Sequence, residues 1–153
     1  MGYYSTLSFE VEKGTEVEPF VITEYQTLPD GSKPDYWYGW ERVSVDEQGN
    51  IEEPSSDYYQ KWYNDDMFVK LLASRMKSGR ITLHFIPEFG DDPWGYIIGP
   101  DAIVTLDSSL IEPVRFEGSG GLELFRFQLK AAAQHYEEKA RLMRQKAHDQ
   151  KAA

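Results

Sequence analysis

The sequence predicts an α+β fold: an antiparallel sheet packed by one central helix, followed by a long C-terminal amphipathic helix. Three observations predict it. Apolar residues alternate with period two in several short runs, the mark of half-buried strands. One segment over 65–77 repeats its apolar residues at spacings of three and four instead. A third stretch, after residue 121, keeps helical spacing for about six turns. Helices gathered beside an antiparallel sheet define this class.

The first strand covers 3–11, where Leu7, Phe9 and Val11 alternate with Thr6, Ser8 and Glu10. Gly2 and Thr6 also fit the loose pattern for N-myristoylation, but Tyr3 and Tyr4 run directly on into the strand. A second strand is expected around Phe20, Val21 and Ile22. Pro29-Asp30-Gly31-Ser32 has the residues of a tight turn. A third strand is expected over 36–45, with Tyr36, Tyr38 and Trp40 on one face and Trp37, Val43 and Val45 on the other. A loop at 46–50 then leads to a short return strand from Ile51, ended by Pro54.

The central helix is expected over about 65–77. Phe68, Leu71, Leu72, Arg75 and Met76 would share one face, and Asp65 and Asp66 suit its positive end. Gly79 is placed to cap its C-terminus. Four strands follow: Ile81–Phe85, Trp94–Ile98, Ala102–Leu106 and Ile111–Phe116, with a tight turn at Gly99-Pro100-Asp101.

The organisation read from composition is an acidic domain over 1–117, a glycine linker over 118–121, a helix over 122–148 and a disordered tail over 149–153. Glu117-Gly-Ser-Gly-Gly121 carries the linker assignment. Leu122, Phe125, Leu129, Ala132, Tyr136, Ala140 and Met143 mark one face of the last helix. Residues 122–136 are expected to pack on the sheet. Beyond them, contact with a partner or with a second copy is expected, so residues 122–148 could assemble a homo-oligomer.

The chain has 153 residues, 41% of them apolar and 14% aromatic, enough for one folded core rich in large rings. It has no cysteine, which excludes disulfides, thiolate metal sites and cysteine nucleophiles. No run is apolar enough to span a membrane, and no secretory leader is recognisable. Net charge is −10, divided as −13 over residues 1–120 and +3 over 121–153. A field of that sign repels phosphate backbones, so direct nucleic-acid binding is not expected. A protein partner with a basic surface is.

Glu88, Asp91 and Asp92 cluster in one loop, but without the ordered spacing of a calcium loop, so neither metal nor cofactor is expected. His84, His135 and His148 lack metal-binding or triad company, and His84 is expected on the polar face of its strand. The residues offered for partner binding are Tyr36, Tyr38 and Trp40, the acidic Glu52, Glu53 and Asp57, and Tyr136 and Met143 on the last helix. Tyr36, Tyr38 and Trp40 would be either an exposed stacking stripe or a face covered by the C-terminal helix.

Met-Gly-Tyr at the start, then Gly-Arg-Ile at 79–81, Glu-Phe-Gly-Asp-Asp-Pro-Trp-Gly-Tyr-Ile-Ile at 88–98 and Asp-Ala-Ile-Val at 101–104, resemble small acidic domains of unknown function from actinobacteria and their phages. The resemblance covers residues 1–11 and about 79–115. It implies an intracellular, phage-related origin and supplies no catalytic residue. The aromatic segment at 30–63 and the helix after 121 depart from that pattern.

These readings converge on a non-enzymatic intracellular protein-binding or modulator protein. Two alternatives stand beside it: a carboxylate-dependent hydrolase or glycan-active enzyme built on Glu88, Asp91 or Asp92, and a structural protein assembling through its last helix.

Overall fold

Alternation of apolar and polar residues sets the register of the main sheet. In the computed structural model, residues 4–21, 44–45, 51–52, 62 and 65–152 are described. Strand β1 (Ser5–Val11) lies antiparallel to β7 (Ile81–Pro87), with Leu7 opposite Phe85 and Phe9 opposite Leu83. β7 pairs with β8 (Trp94–Gly99), β8 with β9 (Ala102–Leu106), and β9 with β10 (Pro113–Glu117). The result is one five-stranded antiparallel sheet, ordered β1-β7-β8-β9-β10.

Two small sheets accompany it. β2 (Glu16–Val17) pairs with β6 (Met76–Ser78). β3 (Phe20–Val21), β4 (Ser44–Val45) and β5 (Ile51–Glu52) form a three-stranded ladder. The second strand and the Ile51 return strand therefore stand where the sequence puts them. Residues 36–43 of the aromatic strand lie outside the described residues.

Helix α1 (Asp65–Arg75) packs on one face of the main sheet. Phe68, Val69, Leu71 and Leu72 meet Leu7, Ile81, Leu83, Phe85, Tyr96 and Ile98. Phe85 is fully buried and stacks face to face on Trp94 at 4.8 Å, with Tyr96 edge-on to it. This aromatic group is the centre of the core, and rings of this size bury large areas for few residues.

The helix is shorter than expected. It stops at Arg75, and Met76 already belongs to β6. Pairing with β2 takes the backbone groups that a further helical turn would have used. Gly79 is consequently not a helix cap; its φ of +85° turns the chain between β6 and β7.

Helix α2 (Gly121–Ala152) packs on the opposite face of the sheet. Leu124 and Phe125 meet Ile97, Ala102, Val104 and Leu106. The glycines before it do not form a loose tether. Gly118 takes a φ of +89°, Gly120 N–H donates to the Asp101 carbonyl at 3.0 Å, and Ser119 N–H donates to the Asp101 carboxylate at 3.0 Å. The Ser119 hydroxyl donates to the same carboxylate and helps hold it below the usual range. The helix also continues through Ala152, where a frayed tail is expected from residue 149.

The face of α2 that meets the sheet is rotated from the expected one and shares only Phe125 and Ala132 with it. Gly121, Leu124 and Ala132 are buried and Phe125 and Gln128 half-buried, whereas Leu122, Leu129 and Tyr136 stay exposed. Gln128 Nε2 donates to the Ile111 carbonyl at 2.7 Å, which fixes that rotation. Intramolecular burial therefore ends at Ala132 instead of Tyr136.

Candidate interaction surface

Sheet register gathers the acidic loops. β7 ends and β8 begins at the same edge of the sheet, and β9 ends there too, since Phe85 faces Trp94 and Gly95 faces Leu106. The β7–β8 loop (88–93) and the β9–β10 loop (107–112) are therefore neighbours. The start of α1 reaches the same end: Asp65 Oδ2 accepts hydrogen bonds from Trp94 Nε1 at 2.9 Å and from the Tyr96 hydroxyl at 2.7 Å. The other end of α1 meets the β8–β9 turn, where Asp101 N–H donates to the Ala73 carbonyl.

Segments 65–66, 88–93 and 107–112 hold seven acidic residues and no lysine or arginine. Two of the seven have structural work. Asp65 fastens α1 to β8. Asp107 Oδ1 accepts from Ser109 N–H at 3.1 Å, Glu112 N–H at 3.3 Å and the Ser109 hydroxyl, so it ties the β9–β10 loop. Those bonds hold the Asp107 carboxyl below its usual range. The Tyr96 phenol is pushed up, first by burial and then by the Asp65 charge, which keeps it a neutral donor.

Asp66, Glu88, Asp91, Asp92 and Glu112 are exposed, and among the described residues none of them forms an ion pair. Phe89 stands among them, 77% exposed. A large ring left in water beside unpaired carboxylates is an uncommon arrangement, because the ring gains nothing from its own fold. This acidic pole, tipped by Phe89, is the candidate surface.

The opposite end of the sheet has mixed charge, with Lys13, Lys77 and Arg80 near Glu12, Asp101 and Glu117. A cleft of ≈ 340 Å³ opens there between Gly79, Arg80, Pro100, Glu123 and Phe127. The Arg80 guanidinium lies 3.8 Å from the Phe127 ring centroid and pairs with Glu12, so its charge is already engaged. Acid–base hydrolysis needs two carboxyl groups facing one cleft. This cleft has Glu123 alone, and Glu88, Asp91 and Asp92 line no part of it.

Tyr36, Tyr38, Trp40, Glu53 and Asp57 lie outside the described residues. Glu52 ends β5. Tyr136 and Met143 are exposed on α2, as partner contact requires. Sequence reading singled out the acids of the β7–β8 loop but missed Phe89 beside them. The signal available was a bulky ring between turn residues in a loop that needs none.

His84 lies on the polar face of its strand, as expected, but it is not freely exposed there. It is half-buried, and its Nε2 is enclosed without a hydrogen-bond partner among the described residues. Burial pushes its pKa below the usual value, against a smaller opposing pull from Glu10. Among the described residues, no group of histidine, aspartate and glutamate is arranged to hold a metal ion, and no helix is long and apolar enough to cross a membrane. Comparison with family models, with curated proteins and with solved structures gave no match.

Proposed function

We infer that this chain is a non-enzymatic, intracellular protein-binding or modulator protein whose acidic pole docks on a basic surface of another protein. A phage-encoded modulator of a host protein is one concrete version. The observation that carries the reading is the exposed Phe89 ring set among Glu88, Asp91 and Asp92, none of them paired with a described residue. Carboxylates of one sign steer a cationic partner during encounter. A single aromatic anchor inside such a rim supplies the apolar contact that charge alone does not. Direct binding to nucleic acid is disfavoured by the same field.

The test is capture from a cell extract with the full chain as bait, beside Asp91→Lys/Asp92→Lys and Phe89→Ala. Specific partners should be held at about 0.05 M salt and released at about 0.5 M, where the screening length falls below about 5 Å. Both variants should lose them. Capture that ignores salt and survives the charge reversal rules the acidic pole out.

A further inference from the structure

Helix α2 is 32 residues long, but none of its described residues after Ala132 is buried. Roughly 30 Å of helix therefore extends past its own sheet, at about 1.5 Å per residue. Helices of that length gain most of their stability from packing one face against something.

A second, open face runs along the whole of α2. Leu122, Leu129, Tyr136 and Met143 recur at intervals of seven, and they are 43%, 48%, 39% and 65% exposed. Four residues after each of them comes Arg126, Ala133, Ala140 or Ala147. Spacings of seven and four are those of a heptad seam, with large residues in one core position and alanine in the other. At about 100° per residue the seam lies roughly 90° round the helix from the face that meets the sheet. The domain leaves it open.

The geometry points to a second copy of this chain as the occupant, paired antiparallel along α2. A two-fold axis brings the same surface together from both copies. Set Leu129 against Ala140 of the second copy, and the remaining layers follow without adjustment. Leu122 meets Ala147, Tyr136 meets Ala133, and Met143 meets the aliphatic stem of Arg126. Three of the four layers set a large residue against alanine, and the fourth sets Met143 along the Arg126 stem.

The flanking charges agree with that register. Glu123 comes beside Arg144 of the second copy, and Lys130 beside Glu137; the two-fold axis repeats both. On the other flank, Lys139 and Lys146 come level with Ala132 and Phe125, which face their own sheet, so no like-charged pair forms. The parallel alternative stacks Arg126 on Arg126 and sets Lys139 beside Arg144 and Lys146 beside Lys151. Charges in these positions select orientation more than they supply affinity.

Charge over the whole chain selects the same arrangement. Antiparallel pairing holds the starts of the two helices about 40 Å apart at 1.5 Å per residue, several screening lengths. Two bodies of −13 each are thereby kept apart, and the basic end of each +3 helix runs beside the other's body. Parallel pairing would put the bodies side by side.

The self-association is independent of the acidic-pole reading, because it is measured on purified protein alone. Light scattering and sedimentation on the full chain should give a dimer that dissociates on dilution. Leu129→Glu should weaken it by more than about 100-fold, since it sets two charges in the seam. Leu142→Glu, on the far side of the helix, should leave it unchanged. Glu137→Lys should weaken it roughly tenfold by opposing Lys130, and adding Lys130→Glu should restore it. Near-UV circular dichroism confirms that each variant is folded. A monomer at every concentration, a dimer that survives Leu129→Glu, or a Glu137→Lys defect that Lys130→Glu does not repair overturns the proposal.

Discussion

Asp65 is the residue whose removal tests the core most directly. Its Oδ2 accepts from Trp94 Nε1 and from the Tyr96 hydroxyl, at 2.9 and 2.7 Å. Tyr96 is only 7% exposed, so its hydroxyl has little access to water as a substitute acceptor. In Asp65→Ala two donors lose a charged acceptor, at about 1.5 kcal/mol each for a half-buried site. Loss of a negative charge from the first turn of α1 adds about 0.5 kcal/mol. The expected loss is about 3.5 kcal/mol, a fall in Tm of about 7–14 °C for a chain of this length. Tyr96→Phe alone should cost about 1.5 kcal/mol. Because both changes break the same bond, the double variant should be more stable than the sum of the singles by about 1 kcal/mol or more. Urea unfolding followed by tryptophan fluorescence measures all four proteins. Strict additivity, or a loss below about 1 kcal/mol for Asp65→Ala, would show that Asp65 does not hold α1 to β8.

Two further outcomes follow from the same structure. His84 has its folded pKa lowered from 6.5, so the folded state resists protonation more than the unfolded state does. Its contribution is complete above pH 6.5 and is lost as pH falls from there through the lowered value. Thermal melts of His84→Gln beside the unaltered chain should therefore converge or cross as pH drops below 6.5, and a constant offset would contradict the burial argument. Gly118→Ala should cost about 2 kcal/mol or more, because the φ of +89° is left-handed and a Cβ would collide with the Asp101 carbonyl oxygen. Calorimetry reads that loss, and an unchanged melt would mean that the turn before α2 is loose after all.

Much of the architecture was legible before any coordinates. Ile81, Leu83 and Phe85 alternate with Thr82 and His84, and only one register buries the first set. The same logic placed β1, β8 and β9. It failed at the C-terminal end of α1, because Met76 fits a helix face and a strand equally well. Only the presence of β2 beside it chose the strand. It failed again at 118–121, where glycine-rich composition suggested a tether. The nearby Asp101 carbonyl and carboxylate converted that segment into a fixed turn.

The candidate surfaces divide in the same way. Sequence alone determined the split of charge along the chain, the seven-residue recurrence of Leu122, Leu129, Tyr136 and Met143, and the lack of cysteine chemistry. These are properties of order along the chain, and periodicity reports them directly. Only the tertiary structure decided that residues 65–66, 88–93 and 107–112 form one acidic pole with Phe89 at its tip. Only the structure showed that α2 turns Leu124 and Gln128 inward and leaves its regular stripe outside. A helix with apolar residues on two sides carries no local signal for which side is covered. The choice depends on what the sheet offers it, here Ile97, Val104 and the Ile111 carbonyl.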